Sequence, residues 1–267
     1  MRTRRIAGMY RAALVLVLAA LCGGAYASEH AEEGGYGSDW QSWRANTNVA
    51  NLSSLQRGAR NFFSYCYGCH SLKYVRYSRL AKDLAIPTDL MQKHLLPAGA
   101  EMTDYVVTSL PVADGEAWFG KAPPDLSLIV RARGADYVYQ FLKTFYVDPS
   151  KPVTGVNNLA LDGTAMPHVL SDLEGLKRAV FRTVEHTGEN GEVVTERVFD
   201  HFEEVTPGRM STEEYDVFVR DLVTFLDYVG EPSQLVRRSV GVWVILFLLV
   251  FTWLAWLLKR EYWKDVH

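Results

Sequence analysis

The sequence predicts a mainly α-helical head, interrupted by one small β-hairpin and followed by a single transmembrane helix near the C-terminus. Three observations carry this. Residues 239–258 form an uncharged apolar run of 20 residues, about 30 Å as a helix and so about the thickness of bilayer hydrocarbon. Apolar residues recur at helical spacing before Cys66 and after Ser211. Residues 181–205 instead alternate, are rich in Val, Thr and Phe, and pivot on Asn190-Gly191, a type I′ turn signal.

Composition narrows the class. Of 267 residues, 48% are hydrophobic and 22% charged, with 28 Lys plus Arg against 31 Asp plus Glu. Disordered, collagen-like and basic nucleic-acid-binding chains are excluded. Three cysteines are too few for a disulfide-dense scaffold.

The N-terminus has a basic region (Arg2, Arg4, Arg5, Arg11), an apolar run over 12–21, and the small-x-small site Ala25-Tyr26-Ala27. The run is half the roughly 20 residues a bilayer needs. A secretory signal peptide over 1–27 is expected, with Ser28 as the mature N-terminus. Gly23-Gly24 argues against an uncleaved anchor. Thr3-Arg4-Arg5 hints weakly at a twin-arginine signal, and Cys22 is expected to leave with the leader. At the other end, Arg237-Arg238 and Lys259-Arg260 bound the apolar run, with Trp253, Trp256, Tyr262 and Trp263 toward one interface. The expected layout is a periplasmic head (28–236), a span in the bacterial inner membrane (239–258) and a cytoplasmic tail (259–267). The leader carries +4 and residues 237–267 carry +3, which leaves −10 on the head.

The chemistry lies in Cys66-Tyr67-Gly68-Cys69-His70. A histidine directly after the second cysteine makes this a c-type haem attachment motif. Two thiols at this spacing add to the two haem vinyl groups, and the adjoining imidazole is then held under the iron. No further Cys or His follows at zinc-site spacing. A dithiol of the thioredoxin type would follow a strand, whereas Leu55, Ala59, Phe62 and Phe63 mark a helix over roughly 52–66.

The second axial ligand is sought among Met91, Met102, Met166 and Met210, since Met1 and Met9 leave with the leader. Histidine opposite methionine closes the iron and raises its potential. Met91 sits in a helical pattern as a core residue. Met102 follows a Pro/Gly loop close to that helix. Met210 directly precedes the capping box Ser211-Thr-Glu-Glu214 and reads as a helix staple. Met166 lies in a Gly/Asn loop over 154–167, stiffened by Pro167. Met166 ranks first and Met210 second. His30, His94, His168, His186, His201 and His267 read as surface residues, with His168 kept as a rival ligand. Further along, residues 126–133 form a short apolar stretch after Pro123-Pro124, and 135–145 a helix. A capped amphipathic helix runs over 211–229 and ends at Gly230 and Pro232.

Over nearly its whole length the sequence resembles the cytochrome c1 family, the haem subunits of cytochrome bc1 complexes (ubiquinol–cytochrome c reductases). The resemblance rests on Leu55-Gln-Arg-Gly-Ala59, Cys66-Tyr-Gly-Cys-His-Ser71, Tyr74 and Tyr77-Ser-Arg79. It continues through Pro123-Pro-Asp-Leu-Ser-Leu-Ile-Val-Arg-Ala-Arg133 with Asp136-Tyr-Val138, Ala165-Met-Pro167 and the C-terminal anchor. It implies a class I cytochrome c-like haem domain with long insertions. One haem c is attached through Cys66 and Cys69, with His70 and Met166 on the iron. Arg133 and Tyr137 contact a haem propionate, which suits the fork of an always-charged guanidinium, and Pro123 and Pro124 wall the haem edge. Without the family, Pro123-Pro124 would read as a helix start and Arg133 as a surface residue. Some relatives carry an extra cysteine pair that this head lacks.

The implied partners are cytochrome b, the Rieske iron–sulfur protein and a soluble cytochrome c, within a dimeric complex. The implied role is an electron relay in which haem carries the electron and protein sets potential and docking. Glu185, Glu189, Glu192, Glu196, Asp200, Glu203 and Glu204 read either as a docking patch for a basic partner or as a solvated hairpin face. Two rivals remain: another membrane-anchored mono-haem cytochrome, such as an oxidase subunit, and a haem sensor or peroxidase-like protein with an open iron site.

Overall fold

A computed structural model describes residues 39–187 and 193–264, which belong to one unit. The expected signal peptide, Glu189, Glu192, the Asn190-Gly191 turn and residues 265–267 lie outside the described residues. A 3-10 turn, Trp40–Ser42, leads to helix α1 (Leu52–Tyr65). The Asn51 side chain caps α1 by accepting from the Ser54 N–H at 3.1 Å. Its buried stripe is Leu55, Gly58, Ala59 and Phe62, the i, i+3, i+4, i+7 face of a helix.

Strand β1 (Leu72–Arg76) runs into α2 (Tyr77–Asp83), then α3 (Thr88–His94), and pairs antiparallel with β2 (Tyr105–Val106). Met91 on α3 is fully buried, the core role its helical setting predicts. Helix α4 (Val112–Phe119) stops at Gly120, whose φ of +75° favours glycine. Helices α5 (Ile129–Arg133) and α6 (Ala135–Lys143) follow, separated by Gly134. Pro123-Pro124 start no helix; they lie in a stretch without regular structure before α5. Two short strands, β3 (Phe145–Val147) and β4 (Val156–Asn158), form a small antiparallel pair.

One turn of helix, α7 (Ser171–Glu174), leads into the hairpin β5 (Gly175–Thr187) and β6 (Val193–Pro207). The hairpin extends beyond the expected 181–205 at both ends. A buried lysine, Lys177, interrupts the apolar alternation at its base and hides the strand start from a pattern reading.

Helix α8 (Thr212–Gly230) starts at the predicted capping box: Ser211 Oγ accepts from the Glu214 N–H at 3.3 Å, and Glu214 Oε2 accepts from the Ser211 N–H at 2.9 Å. It buries Tyr215, Phe218, Val219, Leu222, Phe225 and Leu226 against α1 and α6. The α1–α8 crossing is close because Gly58 has no side chain; a Cβ there would lie 2.1 Å from the Asp221 carbonyl oxygen. Asp221 is itself buried at this crossing and accepts from Ser54 Oγ and Arg57 Nε, each at 2.5 Å. Finally α9 (Gln234–Tyr262) has 29 residues, a mean hydropathy of 2.4 over its most apolar window, and no residue buried by the head. It is the one described helix long and apolar enough to cross a membrane. Glu231, just before it, pairs with both Arg131 on α5 and Arg237 on α9.

Candidate functional site: a haem pocket

Helix α1 delivers the attachment motif. Its end is closed by Cys66 N–H and Tyr67 N–H, both donating to the Phe62 carbonyl (2.8 and 2.9 Å). The chain then turns back on Cys66, whose carbonyl accepts from the N–H groups of Cys69 (3.1 Å) and His70 (2.8 Å). Two thiols and one imidazole are thus fixed on a single turn. Cys66 is buried, Cys69 half-buried, and both are free thiols. Burial pushes the Cys66 thiol up to about 12.

His70 is buried too, and burial lowers its pKa against the opposing effects of its hydrogen bond to Pro124 and the charge of Asp125. Its Nδ1 lies 2.7 Å from the Pro124 carbonyl. A carbonyl only accepts, so the proton sits on Nδ1 and the Nε2 lone pair is left for a metal. This is the outer-shell arrangement that orients histidine ligands.

The segment 123–127 is held in place by the residues just after the motif. Leu126 N–H donates to the Ser71 carbonyl (2.9 Å). Asp125 accepts from the N–H groups of Lys73 (2.8 Å) and Ser127 (2.9 Å), and Tyr74 N–H donates to Ser127 Oγ (3.3 Å). Ser71 Oγ also accepts from Thr108 N–H at 3.0 Å, and Thr108 Oγ1 donates to the Gly68 carbonyl at 2.9 Å. The sequence block Pro-Pro-Asp-Leu-Ser therefore acts largely as a strap that fixes the Pro124 carbonyl against His70. Residue-by-residue reading missed Asp125, Ser127 and Thr108; the only signal was the Asp-x-Ser spacing directly after two prolines.

Arg133 and Tyr137 come together across the α5–α6 junction, the guanidinium 5.6 Å from the ring centroid. Arg133 is exposed and Tyr137 half-buried, so a carboxylate could meet the guanidinium here. Met166 is half-buried against the core. Its loop is organised by two buried asparagines that no sequence pattern singles out. Asn157 Oδ1 accepts from Gly163 N–H (2.9 Å); Asn158 Oδ1 accepts from Ala160 N–H (2.9 Å) and Leu161 N–H (3.2 Å). Met210 is packed against the core at the start of α8, with its N–H donating to the Leu173 carbonyl at 3.1 Å, which is the stapling position.

His168 corrects the surface reading. Its side chain is 5% exposed, its ring stacks on Phe145 at 4.9 Å, and its Nε2 lies 3.0 Å from Glu174 Oε2. His94 and His201 are exposed, as expected. Two acidic hairpin residues face arginines across the strands, Asp200 near Arg182 (3.6 Å) and Glu203 near Arg178 (3.9 Å), and Asp200 also lies 2.8 Å from its neighbour His201. That mixed pattern favours a solvated face over a continuous docking field.

Two free thiols on one turn and a buried imidazole with a fixed tautomer are the donor set that covalent haem requires, so these residues fit that group. Among the described residues no cluster of three or more His, Cys, Asp or Glu could hold a bare metal ion.

A sequence profile of the Cytochrome C1 family matches residues 98–266. Cytochrome c1 of Allochromatium vinosum is 46% identical over 223 residues, covering 84% of this chain and 88% of that protein. A Nitrosomonas europaea protein named ammonia monooxygenase gamma subunit is 41% identical, covering 82% and 86%. The mitochondrial cytochrome c1 haem protein of Schizosaccharomyces pombe is 26% identical, covering 80% and 67%. The profile begins beyond the attachment motif, but the alignment to the Allochromatium protein leaves out only 16% of the chain, and on these matches the chain belongs to the cytochrome c1 family.

Proposed function

We propose that this chain, the haem subunit of a cytochrome bc1 complex, relays single electrons from a Rieske iron–sulfur protein to a soluble cytochrome c. One haem c, bound through thioethers at Cys66 and Cys69, is the one-electron carrier. The observation that carries the reading is the hydrogen bond from His70 Nδ1 to the Pro124 carbonyl, on a turn that also presents both thiols. It leaves Nε2 of a buried, neutral imidazole as the proximal donor.

Met166 supplies the opposite axial ligand. His168, the rival, has its Nε2 against Glu174. Met210 directly precedes the Ser211 cap of α8, and its backbone N–H is tied to the Leu173 carbonyl. A loop braced by Asn157 and Asn158 and stiffened by Pro167 suits a ligand that must not move when the iron changes charge. Arg133, with Tyr137 beneath it, neutralises a propionate, and Pro123 and Pro124 close the pocket edge. Helix α9 anchors the head in the membrane beside cytochrome b. The leader, once removed, places the head in the periplasm and the tail in the cytoplasm, within a dimeric assembly.

Met166→Leu tests the closed site. The variant should bind carbon monoxide in the ferrous state and lose much of its reduction potential, because a thioether favours the reduced iron. A variant that stays inert to carbon monoxide with an unchanged potential refutes Met166 as ligand. Purification of the native membrane complex should bring down cytochrome b and a Rieske protein. An oxidase instead would favour the other membrane-anchored cytochrome.

A further inference from the structure

We propose that Glu174 is a positioning residue for the axial ligand Met166, acting through His168; this rests on the ligand reading above. Residues 166–170 form no helix or strand. The backbone bond at Met166 is long, its N–H 3.4 Å from Thr164 Oγ1. The next internal anchor along the chain is the His168 side chain. Its ring lies parallel to Phe145, 6° between planes at 4.9 Å, and its Nε2 meets Glu174 Oε2 at 3.0 Å.

Glu174 is a firm anchor. Its side chain is 1% exposed, at the end of α7, and its other oxygen pairs with Lys177. Lys177 is buried in turn, donates to the Lys143 carbonyl at 2.6 Å, and covers the Phe202 ring at 4.4 Å. Lys143 pairs with Asp216 on α8. The row His168–Glu174–Lys177 therefore ties the methionine loop to the end of α6 and the base of the hairpin. The Glu174–Lys177 pair is buried, and separating such a pair is costly. Lys177 requires a carboxylate at 174 and fixes one of its oxygens; the other oxygen is thereby set against the imidazole two residues from the ligand. The 3.0 Å approach of Nε2 to Oε2 is not aligned as a hydrogen bond; the ring is held by its stacking on Phe145 and by close packing against a carboxylate that Lys177 fixes in place.

The test uses the full haem-loaded chain in detergent. One variant is His168→Phe, which keeps a ring on Phe145 and removes the contact. The other pairs Glu174→Gln with Lys177→Met, which removes the carboxylate without stranding a buried ammonium. Both should retain haem content and far-UV circular dichroism. Their weak red ferric absorption band, the signature of thioether ligation, should fade at lower temperature than the loss of helix. Their ferrous forms should bind carbon monoxide about tenfold faster than the parent, the shift expected when the detached-ligand population rises tenfold. Parental carbon monoxide rates and band stability in both variants, while Met166→Leu binds freely, would overturn the positioning role and leave the ligand intact. A band that fades only together with helix content would also overturn it, since that is a purely structural effect. Inertness of Met166→Leu itself would refute the ligand reading instead. If the double variant fails to take up haem, His168→Phe alone decides.

Discussion

Gly58→Ala should destabilise the head, although the same change in most helices stabilises. An added Cβ would meet the Asp221 carbonyl oxygen at 2.1 Å, Phe225 Cβ at 2.6 Å and the Asp221 carbonyl carbon at 2.8 Å. Two of these atoms are backbone of α8, so no side-chain rotation relieves the clash and the crossing itself must open. Overpacking of this kind costs typically 1–3 kcal/mol, and backbone contact puts this site near 3. Alanine returns about 1 kcal/mol of helix propensity. The net loss is about 2 kcal/mol, or a fall of about 4–8 °C in Tm for a domain of this size. The assay is thermal unfolding of the haem-loaded chain, followed by helical circular dichroism. Haem content is measured in parallel, because α1 ends at Cys66 and any displacement moves the attachment turn. Gly241→Ala is the control: it lies in α9 with nothing within 4 Å of the added carbon, and should not lower Tm. An unchanged or raised Tm for Gly58→Ala would refute the close-crossing argument.

Three further outcomes are expected. Asp221→Asn keeps the side-chain shape but removes the charge that accepts from Ser54 and Arg57. Hydrogen bonds to charged groups contribute about 1.5–3 kcal/mol, and Arg57 is partly exposed and therefore screened, so a loss of about 2 kcal/mol is expected in chemical denaturation. Ser211→Ala removes one arm of the capping box and should cost about 1 kcal/mol, read as a Tm lower by about 2–4 °C. The head's net charge of −10 should make reduction of a basic cytochrome c slow as ionic strength rises; a flat dependence in stopped-flow traces would exclude steering.

Much of the architecture was legible because its signals are local. The helix before Cys66, the capping box at Ser211 and the uncharged run over 239–258 each follow from spacing within a few turns. The attachment turn is legible for a stronger reason, since the chemistry of two thioethers and one imidazole fixes the spacing of Cys66, Cys69 and His70. What stayed hidden depends on contacts between distant segments. The role of Asp125 exists only because residues 71–74 lie alongside it. Asn157 and Asn158 read as loop composition, yet they are buried brackets whose side chains replace backbone partners for the methionine loop. His168, Glu174 and Lys177 are polar residues whose burial no periodicity announces. Lys177 also concealed the start of the long hairpin. Strands of three residues, as in β3 and β4, are too short to show alternation.

The most direct test is the haem stoichiometry of the purified chain. The polypeptide is extracted with acidified acetone, which removes any haem not covalently attached, and its pyridine haemochrome spectrum and intact mass are then recorded. One haem per chain, with the spectrum of a macrocycle that has lost both vinyl groups to Cys66 and Cys69, is the predicted result. A colourless polypeptide, or a mass matching the bare sequence, would contradict the account.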